Sequence, residues 1–123
     1  MTDKEIFIEN LKNRTKEFAV NVIGFCETLN ASRATNVITY QLIKSATSTG
    51  ANYRAACNAR SKKEFFSKIC IVVEEIDESK YWLELIQSTN LSKEKESLNG
   101  LLIEGNEIAK IMGKAKTSMY EKN

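Results

Sequence analysis

The chain has 123 residues, 42% of them apolar and 28% charged, with 18 Lys and Arg against 16 Asp and Glu, and it contains neither histidine nor proline. That length suits one domain with a modest apolar core, and the missing histidine removes the commonest general base and every Ser-His or Cys-His arrangement, which disfavours most hydrolase mechanisms. A formal charge of +2 supports no strong nucleic-acid or membrane role from composition alone, so any such case rests on how the charge is distributed.

Without proline, the commonest helix breaker is gone and long segments are free to stay helical. The first, about Asp3 to Leu29, carries Phe7, Leu11, Phe18, Val22, Phe25 and Leu29 at helical spacing, with one break near Arg14 and Thr15. Residues 30–35 are short and polar, and Ser32 and Thr35 are both candidate N-caps. A second helix is expected from about Thr35 to Asn58, with small residues through its middle and apolar groups on more than one face. Ser61-Lys62-Lys63-Glu64 matches the capping box, in which the serine takes the N3 amide and the glutamate reaches back to the cap amide. The third helix, 62–88, places Phe65, Ile69, Val72, Ile76, Leu83 and Ile86 on one face and ends near Thr89 and Asn90. A fourth is expected from about Ser92 to Tyr120, where Gly100, Gly105 and Gly113 each cost about 1 kcal/mol relative to alanine unless they allow close packing. Four helices with short connections predict an all-α, antiparallel, up-down-up-down four-helix bundle.

Cys26, Cys57 and Cys70 form no C-x-x-C and are odd in number, which favours a reducing cytoplasm over a disulfide framework. The start Met-Thr-Asp-Lys-Glu is unlike a secretory signal, and no run of about 20 apolar residues offers a membrane span.

Two polar stripes stand out. Gln41, Ser45, Ser48 and Asn52 share one face of the second helix, and Glu75, Glu78 and Trp82 share one face of the third. Counting outward from a turn at 58–61 sets Asn52 near Ser67, Ser48 near Ile71, Ser45 near Glu75 and Gln41 near Glu78. The expected result is a structural polar seam in which Glu75 and Glu78 pair with Lys44 and accept from Gln41 and Ser45. A carboxylate pair doing acid/base work is the less favoured reading.

No phosphate-cradling glycine loop occurs, and neither a cofactor nor a metal site is expected, since the di-iron Glu-x-x-His pattern lacks its histidine. Tyr53, Tyr81 and Trp82 read as core or interface aromatics ahead of a base-stacking platform with Tyr40. Arg54, Arg60, Lys62, Lys63 and Lys68 surround the second turn and are the best candidates for phosphate contact, weighed equally against a merely solvated loop; Lys114 and Lys116 join them from the basic tail.

Gln41 to Ala56 (Q-L-I-K-S-A-T-S-T-G-A-N-Y-R-A-A), Ala59 to Phe65 (A-R-S-K-K-E-F) and Glu74 to Ile86 (E-E-I-D-E-S-K-Y-W-L-E-L-I) together carry a resemblance. They are similar to the Q-x-x-x-S-x-x-S-x-x-x-N helix, the S-x-x-E/D-F turn and the E-x-x-E-[ST]-x-x-W-L helix of the bacterial 23S rRNA intervening-sequence protein family. The resemblance implies an antiparallel four-helix bundle, a ring-shaped homopentamer and no enzymatic activity. The similar accessory proteins of diversity-generating retroelements imply two kinds of partner, nucleic acid (RNA or DNA) and a reverse transcriptase.

Overall fold

The computed structural model describes the backbone of residues 1–122 and the side chains of residues 1–119. Its four helices are α1 (Asp3–Cys26), α2 (Arg33–Cys57), α3 (Lys62–Ser88) and α4 (Lys95–Lys122). Three start on a hydroxyl cap: Thr2 accepts from the Glu5 amide at 3.1 Å, Ser32 from the Thr35 amide at 3.1 Å, and Ser61 from the Glu64 amide at 3.0 Å. Of the two expected caps for α2, Ser32 is the one used, and Thr35 is buried in the helix behind it.

The ends differ from the sequence expectation where local hydrogen bonds outcompete the helix. After Cys26, the amides of Thr28 and Leu29 turn back to Phe25 and Cys26, so α1 stops short of Leu29. Asn90 is left-handed at φ 53°, its amide donates to the Gln87 carbonyl and the Leu91 amide donates to the Ile86 carbonyl, which is the Schellman pattern with asparagine in the αL position. Ser92 is buried and caps the Glu94 amide at 3.0 Å instead of starting α4, which begins at Lys95.

The helices pack around a square, α1 on α2, α2 on α3, α3 on α4 and α4 on α1, with α2–α3 the most extensive contact and α1–α4 the least. Neighbours run antiparallel because α1, the shortest helix, is about 36 Å long and a six-residue connection such as 27–32 spans at most about 20 Å. The core holds Phe18, Leu42, Ile69, Ile76, Leu83, Ile86, Leu98, Ile108 and Met112.

The break in the α1 apolar pattern is a built feature. Thr15 is fully buried, bonds back to the Leu11 carbonyl at 3.0 Å, and lies against Gly50 of α2, where an added Cβ would meet the Thr15 backbone at 3.5 Å. Next to it, Arg14 grips Glu104 of α4 through two bonds of 2.7 Å, a bidentate clamp between the least-packed pair of helices. Of the three α4 glycines, Gly105 alone serves close packing, with Lys80 Cγ 3.3 Å from its would-be Cβ, whereas Gly100 and Gly113 face open space.

The capping box forms by half. The Glu64 carboxylate turns to Arg60 at 3.5 Å, and no bond from the Ser61 amide to it is made. Ser61→Ala is therefore expected to cost about 1 kcal/mol in urea denaturation, and Glu64→Ala no more than about 0.5 kcal/mol, the worth of an exposed ion pair.

Candidate nucleic-acid interface and the polar seam

The α2–α3 contact is held by hydroxyls. Ser45 and Ser79, both fully buried, face each other at 2.8 Å, each lying over a carbonyl of its own preceding turn. Further along, Asn52 Nδ2 donates to both the carbonyl and the hydroxyl of Ser48 at 2.9 Å, and the Ser48 hydroxyl lies near enough to the Glu75 carboxylate to favour its ionised form. The seam exists, in a register one helical turn away from the symmetric count: Ser45 meets Ser79 rather than Glu75, and Ser48 rather than Ser45 serves Glu75.

Side-chain direction acts in the sense of that shift. Cα–Cβ bonds tilt toward a helix's own N-terminus, away from the corner on α2 and toward it on α3, so each α2 side chain meets a residue farther along α3. Two expected seam members change role: Glu78 is exposed, and Lys44 is exposed and forms no ion pair among the described residues, although its charge favours the ionised Glu75. Gln41 is half-buried and makes no side-chain bond among the described residues. Ser79, which the sequence reading passed over, was visible as the serine four residues beyond Glu75 on the same face.

The aromatics divide. Tyr53 is buried in the core, and burial pushes its phenol upward from the ordinary value. Tyr81 is exposed and meets half-buried Trp82 edge to face, centroids 5.1 Å apart. The Trp82 Nε1 atom is buried without an acceptor. Tyr40 is exposed on α2, and with Tyr53 inside the core the four rings form no common stacking platform. Of the cysteines, Cys26 is buried and its thiol is pushed up to about 11, while Cys57 and Cys70 are half-buried and free rather than fully interior.

The basic residues come together at one end. Arg54, Arg60, Lys62 and Lys63 are exposed around the α2–α3 corner and Lys68 is half-buried one turn on. The up-down topology brings the C-terminal half of α4 to this same end, so Lys114, exposed, and Lys116, half-buried, join them. Among these seven, Arg60 has an acidic partner, Glu64, and its guanidinium remains 90% exposed. Lys122, also part of the basic tail, lies outside the described side chains. Lys12, on the N-terminal half of α1, and Lys16, just past its middle, lie across from the C-terminal half of α2, which is not legible in sequence because two lysines on a polar helix face read as an ordinary solvated surface. The described residues hold no cluster of three or more His, Cys, Asp or Glu suited to a metal, and no described helix is long and apolar enough to cross a membrane.

The Glu75 carboxyl is held above its ordinary value by burial first and then by the charge of Glu78, against which the Ser48 hydrogen bond pulls it down. A carboxyl raised in the folded state binds its proton more tightly there, so ionising it costs stability as pH rises through the unfolded value of about 4.3 and beyond. Glu75→Gln keeps an acceptor for Ser48 and discards the disfavoured charge. Its melting temperature is expected to exceed that of the wild type at pH 7 and to converge with it below about pH 4 in a pH series of thermal melts.

Comparison with known proteins agrees with this geometry. No curated protein matches the chain. A crystal structure at 1.70 Å resolution of a protein of unknown function from the S23 ribosomal protein family of Bacteroides thetaiotaomicron VPI-5482 is similar, with a TM-score of 0.78 and 31% identity over 86% of this chain and 97% of that one. The match to 23S rRNA-intervening sequence proteins spans residues 10–114, which takes in α2, α3, most of α1 and α4 and the seam between α2 and α3, and the chain belongs to that family.

Proposed function

We propose that the protein is a non-enzymatic, oligomeric helical scaffold that contacts structured RNA through the basic end of its bundle. The observation that carries this reading is the convergence of Arg54, Arg60, Lys62, Lys63 and Lys68 with Lys114 and Lys116 from a distant part of the chain. Cations gathered at one end of the bundle bind phosphates and release counterions, and they do so irrespective of base sequence. Assembly into a ring, a homopentamer by the family resemblance, repeats the patch, and such multivalency raises avidity by about 10² to 10⁴ without a new contact. Of the acidic residues, Glu74, Asp77, Glu78 and Glu84 lie along α3 beyond the corner, while Asp3, Glu5 and Glu9 of α1 share the basic end and leave its surplus of positive charge modest.

A second reading, a module that binds protein and no nucleic acid, is favoured by the outer α2–α3 face. There Val37, Tyr40 and Tyr81 are more than half exposed. Aromatic groups of this kind are enriched at protein interfaces. The same face serves subunit contact in the first reading.

Fluorescence anisotropy with a labelled RNA hairpin, on protein of mass fixed by light scattering, separates the two. The scaffold reading expects binding that weakens steeply between about 50 and 200 mM salt, and a loss of about 2 in the log–log salt slope for the Arg60→Ala/Lys63→Ala variant with its melting temperature unchanged. A well-formed oligomer that binds no RNA and co-purifies with a stoichiometric protein would establish the second reading in its place.

A further inference from the structure

The basic end has a built groove on one side. Between α1 and α2 a cleft of about 330 Å³ is lined by Lys12, Lys16, Ala19, Thr47, Gly50, Ala51 and Arg54. Its rim carries three cations and no acidic side chain, and its floor is small: alanine, glycine, alanine. None of the three cations forms an ion pair among the described residues. Gly50 lies where α1 and α2 approach closely over buried Thr15, so the floor is fixed by core packing rather than by a loose surface segment. Lys12 and Lys16 lie one turn apart on α1, about 6 Å along the axis, and Arg54 faces them from α2.

We infer that this α1–α2 groove is a cleft for the phosphodiester backbone of RNA, with Lys12 and Lys16 meeting neighbouring phosphates from one wall and Arg54 from the other. The inference rests on the RNA-binding reading above and locates its backbone contacts. Three like charges converging on a shallow groove repel one another, and a polyanion laid along it relieves that repulsion while releasing counterions. The low floor lets a phosphate approach close to helix backbone, where a larger side chain would hold it off. Arg54 belongs to both the groove and the corner, so one continuous basic track runs from the cleft to Arg60 and Lys63. Lysine supplies point charges here and Arg54 a planar fork suited to phosphate oxygens. The contact is to backbone, so it positions RNA without reading its sequence.

The test compares salt slopes for a labelled RNA hairpin across the wild type, Lys12→Ala/Lys16→Ala/Arg54→Ala, Arg60→Ala/Lys63→Ala, and Arg33→Ala at the opposite end of α2. The groove triple is expected to lower the slope by about 2 to 3 and Arg33→Ala to leave it unchanged. Should the triple variant fold poorly, lysine acetylation of the wild type read by mass spectrometry gives the same answer, with Lys12 and Lys16 shielded by RNA. A triple variant with unaltered slope, or lysines equally acetylated with and without RNA, overturns the groove while leaving RNA binding at the corner intact. A wild-type chain that binds polyglutamate and no RNA overturns both.

Discussion

The rest of the structure depends on the buried hydroxyl pair Ser45–Ser79. Each of these two hydroxyls, sealed in the most extensive helix contact, has a carbonyl of its own helix within reach, and meeting at 2.8 Å gives each a second partner that a slip of one turn would remove. Apolar packing alone tolerates sliding by a helical turn, since leucine and isoleucine stripes repeat. A hydroxyl pair does not. With Ser45 against Ser79, Ser48 comes to rest beside Glu75, and Asn52 closes the row by donating to Ser48. Serine is small enough to let α2 and α3 pack closely there, so one choice of residue sets both register and separation.

Once α2 and α3 are in register, the charge pattern follows. The corner at 58–61 projects its arginines and lysines from one end of the molecule, and the acidic stretch of α3 lies farther along. The Arg14–Glu104 clamp then ties α1 to α4, the least extensive of the helix contacts. Polar cross-links thus do for the outer helices what the hydroxyl pair does for the inner ones. The two carboxylates part company here: Glu75 is half-buried beside Ser48 in the seam, and Glu78 is exposed.

Much of the helical structure was legible because each signal is local. Ser32 and Ser61 cap the amides three residues on, Asn90 adopts the left-handed turn that asparagine tolerates, and the apolar stripe of α3 from Ile69 to Ile86 is buried. The misjudged features each involve a partner remote in sequence. Ser45 was paired with Glu75 because symmetric counting ignores the direction of side chains on antiparallel helices. The Arg14 and Thr15 interruption looked like a defect, and it is a clamp to α4 and a close approach to α2. Lys12 and Lys16 were unremarkable on α1 until α2 brought Arg54 across from them.

By itself, the sequence determined four helices, the Ser61 cap and the Asn90 turn, the inward faces apart from Phe7, which is exposed on the first turns of α1, and the two stripes that form a seam. These follow from interactions within one helical turn, which any chain of this composition makes wherever it is folded. The register of α2 on α3, the gathering of corner and tail cations at one end, the basic groove on α1 and α2, and the isolation of the Trp82 N–H were decided by tertiary structure alone. Those depend on which turn of one helix meets which turn of another. That choice is fixed by packing, side-chain direction and the demand that buried polar groups find partners, and none of these is a property of a local stretch of residues.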